Sequence, residues 1–195
     1  MKGNVLASVI TIFLACALAG GQDRNAAPKV TELDVQGVGK IRIPDLVMQD
    51  QEGRRVRFYS DLIKDKVVVL SFFYTSCTYT CTMQGRTFSK LQSLLGERLG
   101  KSVFLISVTT NPAKDDPSHL KAWGRRYDLQ TGWTLVTGQE VEMNQLLISF
   151  TGSPAGVQMH LPTTFIGNDR KGLWTSAAGV FAPEDLLKVV DLVSQ

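Results

Sequence analysis

Residues 67–74 read Val67-Val68-Val69-Leu70-Ser71-Phe72-Phe73-Tyr74, an almost unbroken apolar, β-branched and aromatic run. Such a run has no polar side to give to water, so it predicts a strand buried on both faces. The remaining elements arrange themselves around it. Residues 43–47 and 56–58 flank the turn Asp50-Gln51-Glu52-Gly53 and predict a β-hairpin. Ser60-Asp61-Leu62-Ile63 predicts a short capped helix. Downstream, Phe88, Leu91, Leu94, Leu95 and Leu99 recur at helical spacing and end near Gly100, and residues 103–108 predict a second apolar strand. Asp116-Pro117 opens a helix through Trp123 and Tyr127, with proline suited to a first turn. A short strand at 133–136 and a helix at 141–150 follow. Strands at 163–166 and 174–180 pair around a turn, and a helix at 183–193 closes the chain. This order predicts an α/β, thioredoxin-like fold: a central mixed sheet flanked by helices, with an N-terminal β-hairpin extension.

The chain has 195 residues, 44% hydrophobic and 20% charged, which fits one globular domain plus an appendage and excludes collagen-like and disordered classes. Lys+Arg 21 against Asp+Glu 18 leaves +3, with no basic block, so nucleic acid is not an expected partner.

The appendage is residues 1–19. Lys2 precedes an apolar run from Val5 to Ala19, and Ala17-Leu18-Ala19 places small residues where a signal peptidase inspects them. The run falls short of the roughly 20 residues that span a bilayer as a helix. An alternative use is acylation of Cys16 in Phe13-Leu14-Ala15-Cys16, which would tether the domain to a membrane. Either way the expectation is export to the periplasmic side of the inner membrane, soluble or tethered. There a dithiol can be oxidised and needs a thiol reductant to keep it reduced. Residues 20–39, with Asp23, Arg24, Asn25 and Pro28, predict a polar tether, and residues 40–195 the folded domain.

Chemistry concentrates in Tyr74-Thr75-Ser76-Cys77-Thr78-Tyr79-Thr80-Cys81, where the buried strand hands over to a helix. Both sulfurs are expected near a helix N-terminus, where free N–H groups and the dipole favour thiolate. Four positions apart on a helix, they share a face and can bind one ion or pair as a disulfide. Soft thiolates favour Cu(I), with imidazole able to complete a low-coordinate site. Zinc fits less well, since a structural site wants four ligands and the folded domain has two thiols and two histidines. Of the histidines, His119 follows Asp116-Pro117-Ser118 on a surface helix and is expected to be solvated. His160, in Gln158-Met159-His160-Leu161-Pro162, lies just before a strand, where a proline loop packs against the dithiol in thioredoxin-like folds. It is the candidate third ligand; Met159 is expected to pack, and the bond before Pro162 is open to cis as well as to the commoner trans form. Tyr79, between the thiols, is a candidate shield.

From about residue 43 to 195 the chain resembles the Sco/SenC family of copper-binding, thioredoxin-like proteins. Gly53, the strand into Cys77 and Cys81, Ser107-Val108-Thr109-Thr110-Asn111-Pro112 leading to Asp115-Asp116-Pro117, Trp133-Thr134-Leu135-Val136-Thr137-Gly138 and Ile166-Gly167-Asn168-Asp169 carry the resemblance. It implies Cys77 and Cys81 as copper ligands with a later histidine as third. It also implies copper delivery to, or thiol maintenance at, the binuclear copper site of cytochrome c oxidase, whose copper-site subunit is then the partner. Thr82 stands where the family usually has proline, and Met159 where an acid commonly precedes the histidine. Leu161-Pro162-Thr163-Thr164 instead resembles exported thiol–disulfide reductases. An exported thiol–disulfide oxidoreductase using Cys77 and Cys81 without metal is therefore the alternative. A peroxidase is disfavoured, because Leu70 and Tyr74 stand where such sites place Pro and Thr.

Overall fold

The computed structural model describes residues 29–152 and 162–195. Its strands are β1 (Val30–Gln36), β2 (Gly39–Pro44), β3 (Val47–Asp50), β4 (Arg55–Arg57), β5 (Val67–Phe73), β6 (Val103–Thr109), β7 (Trp133–Thr137), β8 (Thr163–Asn168) and β9 (Leu173–Ala178). The helices are α1 (Thr80–Leu95), α2 (Pro117–Arg125), α3 (Glu140–Thr151) and α4 (Pro183–Ser194). All the strands join one mixed sheet in the order β2-β1-β9-β8-β5-β6-β7-β3-β4. β5 sits at its centre, parallel to β6 and antiparallel to β8.

The apolar run at β5 is covered on both faces, as expected. Val68, Leu70 and Phe72 pack towards α3, where Phe72 meets Phe150 edge-on at 5.6 Å between ring centroids. Val69 and Phe73 pack on the other face among residues of α1, α2 and α4, with Phe73 4.3 Å from Trp123. Ser71 is the polar exception, and it is satisfied: its hydroxyl lies 3.0 Å from that of Ser107, which accepts from Trp133 Nε1 at 3.1 Å. α1 buries a stripe of Cys81, Gln84, Gly85, Phe88, Leu91, Gln92 and Leu95. Gly85 is needed there, because a Cβ would lie 2.6 Å from a Tyr127 ring carbon. Asp116 caps α2 by accepting from the His119 N–H at 2.9 Å, and Pro117 opens the helix.

Three expectations change. The expected tether over 20–39 does not hold for its second half, because residues 30–36 form β1 and Gly39 opens β2. β1 pairs antiparallel with β2 and, over Val35 and Gln36, parallel with β9. Leu33 and Val35 are buried while Glu32, Asp34 and Gln36 are not, a period-two pattern diluted by its polar alternates. The hairpin around Asp50–Gly53 is made of β3 and β4, while Ile43 belongs to β2. Residues 60–63 form successive turns rather than a helix. The Asp45 carboxylate accepts from the N–H groups of Tyr59 and Ser60 and from the Ser60 hydroxyl, so Ser60 does not cap a helix.

Candidate functional site

β5 ends at Phe73, and the chain turns through residues 74–79 before α1 begins at Thr80. Cys77 lies in that turn and Cys81 in the first turn of the helix. The connection is braced from the neighbouring loop. Asp115, fully buried, accepts from the Thr75 N–H at 3.0 Å, from the Thr75 hydroxyl and from the Thr109 hydroxyl. The Thr110 N–H donates to the Phe73 carbonyl at 2.7 Å. The loop after β6 thus holds the loop after β5.

The two thiols occupy different environments. Cys77 is half-buried and Cys81 buried. The Cys81 N–H donates to Cys77 Sγ at 3.3 Å, and the Thr80 hydroxyl lies 3.6 Å from the same sulfur. Burial pushes the Cys77 thiol up. Hydrogen bonds from the Cys81 thiol, the Cys81 N–H, the Thr80 hydroxyl and the Tyr79 N–H outweigh it and bring the group down to about 7. Burial pushes Cys81 up to about 12, reinforced by the hydrogen bond its thiol gives to Cys77. The expectation that helix position favours thiolate at both sulfurs is corrected: Cys77 is the more acidic thiol and Cys81 its donor, because only Cys81 is carried into the packed face of the helix. Tyr74 is drawn in as well; its hydrogen bond to Cys77 raises the phenol.

The other candidates separate. His119 is well exposed on α2, with Nδ1 2.9 Å from Asp116, as expected for a solvated residue. Tyr79 is 74% exposed, and its N–H reaches Cys77. Among the described residues no group of three His, Cys, Asp or Glu side chains could hold a metal, so the cysteine pair has no third such ligand there. His160, Met159, Leu161 and Cys16 lie outside the described residues. Sequence reasoning placed Asp115 only within a motif, and nothing local to it signals that it holds Thr75.

Residues 43–159, which take in both cysteines, match the family model SCO1/SenC. The chain belongs to the SCO1/SenC family. A candidate copper-binding protein of Stutzerimonas stutzeri is 28% identical over 144 residues, covering 71% of this chain and 66% of that protein. With a second relative covered over 63%, the matches span about two thirds of the curated relatives' own length. Among solved structures, BsSco, a member of the Sco family of cytochrome c oxidase assembly proteins in which a disulfide switch is identified, superposes with a TM-score of 0.64. It is 23% identical, over 86% of this chain and 96% of that one. Bradyrhizobium japonicum ScoI with copper bound gives 0.60 at 18% identity, over 86% and 99%. These likenesses carry the fold: the SCO1/SenC chain has the thioredoxin-like architecture that its element order predicts. Its strand–turn–helix junction bears the dithiol.

Proposed function

We propose that this protein is an exported copper carrier that loads, or keeps reduced, the binuclear copper site of cytochrome c oxidase. Cys77 and Cys81 hold Cu(I), with His160 as third ligand. The observation that carries the reading is the unequal pair: a half-exposed thiol ionising at about 7 beside a buried thiol that donates to it. Two soft sulfurs, one of them about half ionised at pH 7, suit Cu(I), and among the described residues too few hard or nitrogen donors accompany them to favour zinc. Copper is cargo here. The exposed side of Cys77 leaves room for an incoming ligand from a recipient, so copper passes by ligand exchange rather than by turnover. The copper-binding relative of Stutzerimonas and copper-bound ScoI support copper, and BsSco, of a family of oxidase assembly proteins, supports oxidase assembly.

Export rests on residues 1–19, with Cys16 as the acylation site if the domain is tethered. Among the described residues no helix is long and apolar enough to cross a membrane. In an oxidising compartment the pair also needs a thiol reductant.

Anaerobic Cu(I) titration of wild type, Cys77→Ser, Cys81→Ser and His160→Ala tests the reading. One-to-one binding that either serine abolishes and His160→Ala weakens supports it. Failure to bind copper, alongside efficient reduction of a protein disulfide, overturns it in favour of a thiol–disulfide oxidoreductase.

A further inference from the structure

From residue 67 to residue 96 the chain contains no Asp or Glu. α1 therefore lacks the acids that usually favour a helix N-terminus, and its only charged residues are Arg86 and Lys90. Both are exposed on the side opposite the buried stripe. Tyr79, Met83, Arg86 and Lys90 follow at i, i+4, i+7 and i+11, so they form one ridge along the helix. Tyr79 is 74% and Met83 43% exposed. Beside the ridge runs a groove of about 410 Å³ lined by Thr82, Arg86, Lys90, Arg126 and Tyr127 among others, with no carboxylate in its walls. Among the described residues Arg86, Lys90 and Arg126 form no ion pair, whereas Arg98 on the same side of the sheet is tied to Asp191 at 2.6 Å.

The groove begins beside Cys77. The Thr82 hydroxyl donates to the Cys77 carbonyl at 3.4 Å. At 1.5 Å per residue, Arg86 lies about 6 Å and Lys90 about 12 Å along the helix from Thr82. Along the helix the nearer cation is thus within a Debye length of about 8 Å of Thr82 at physiological salt, and the farther one lies outside it. Exposed Tyr and Met beside a thiol, with Arg on the flank and no acids, is the composition of a protein interface.

We infer that this face of α1 is the docking surface for an acidic protein surface that exchanges thiol or metal with Cys77. The inference rests on the proposed function for what is exchanged, not for the charge of the partner. A bilayer is the weaker occupant. Three cations on one face give only about 1 kcal/mol each against anionic lipid, whereas exposed Tyr79 and Met83 beside them suit a protein partner.

The test uses two synthetic peptides of equal length, each carrying one cysteine as its 2-pyridyl disulfide, one flanked by glutamates and the other by lysines. The Cys77 thiolate attacks the peptide sulfur, a Cys77–peptide disulfide forms, the peptide–pyridyl disulfide breaks, and 2-thiopyridone leaves and is read by absorbance. Rates are taken relative to neutral 2,2′-dithiodipyridine on the same protein, so differences in thiol ionisation cancel. The acidic peptide should react about tenfold faster than the basic one at low salt. The ratio should approach one in 1 M NaCl and be lost in Arg86→Glu/Lys90→Glu/Arg126→Glu. A ratio near one for wild type, or one that survives in the triple variant, overturns the inference. So does binding to phosphatidylglycerol vesicles at physiological salt by wild type but not by the variant, which would assign the face to lipid. Copper does not enter this readout: a protein that binds none but keeps the ratio has lost its cargo and not its docking surface.

Discussion

Replacing Cys81 with alanine should move the ionisation of Cys77 upward. Burial alone would lift Cys77; the Cys81 thiol is foremost among the donors that reverse this and bring it to about 7. Cys81 itself remains protonated up to about 12, so it is still a donor when Cys77 titrates. A hydrogen bond to an ionised acceptor contributes about 1.5–3 kcal/mol, and water around half-exposed Cys77 brings that towards the lower end. One pKa unit corresponds to about 1.4 kcal/mol, so the expected rise is about one unit. At pH 7 the thiolate fraction would fall from about one half to about one tenth. Iodoacetamide alkylation followed from about pH 5 to 10 reads this directly, because the rate tracks thiolate. The wild-type rate should climb with pH through a midpoint of about 7 and then level, with Cys81 silent throughout. Cys81→Ser keeps a hydroxyl donor and should hold the midpoint. An alanine variant whose midpoint stays at the wild-type value would refute the reasoning, since backbone donors and Thr80 alone would then set Cys77.

Asp115→Asn leaves one acceptor oxygen for three donors and turns an amide NH₂ towards them. It should cost about 2–4 kcal/mol by urea denaturation and speed amide exchange at Thr75; an unchanged midpoint would remove Asp115 from its bracing role. Gly85→Ala should destabilise by about 1–2 kcal/mol. The usual helical gain of about 1 kcal/mol is outweighed by overlap with the Tyr127 ring, which Trp123 holds at 4.5 Å between centroids. A Gly85→Ala protein as stable as wild type in the same urea series would mean that ring can move aside.

What was legible in the sequence was what is local or periodic. The run at 67–74 specified a doubly covered strand, and Phe88, Leu91 and Leu95 specified the buried face of α1. Together they fixed the strand-to-helix junction and with it the pair of sulfurs. β1 escaped because its burial rests in part on a partner far along the chain: Trp174 lies beside Val35, while only Ile41 opposite Leu33 is close in sequence. Asp115 escaped for the same reason, since Thr75 is forty residues away. The inequality of the thiols was hidden more subtly. Spacing puts both near the helix start. Only packing shows that Cys81 faces Phe73 and Phe88 inward while Cys77 stays at the rim.

The route by which β1 joins the sheet decides how far the thiols stand from whatever holds the N-terminus. β1 is parallel to β9, β9 antiparallel to β8, and β8 antiparallel to β5, so β1 and β5 run the same way. Val35 is level with Trp174, Trp174 with Gly167, and Gly167 with Val68. Val30 therefore enters five residues below that level and Phe73 leaves five residues above it. At about 3.3 Å per residue the two are about 30 Å apart along the strands. An attachment through the N-terminus would act as a pole rather than a clamp, lifting Cys77 to the far end of the domain. Residues 20–28 could add at most about 3.5 Å each. A membrane-bound partner would have to present its own site at that height, or meet the domain bent over on its tether.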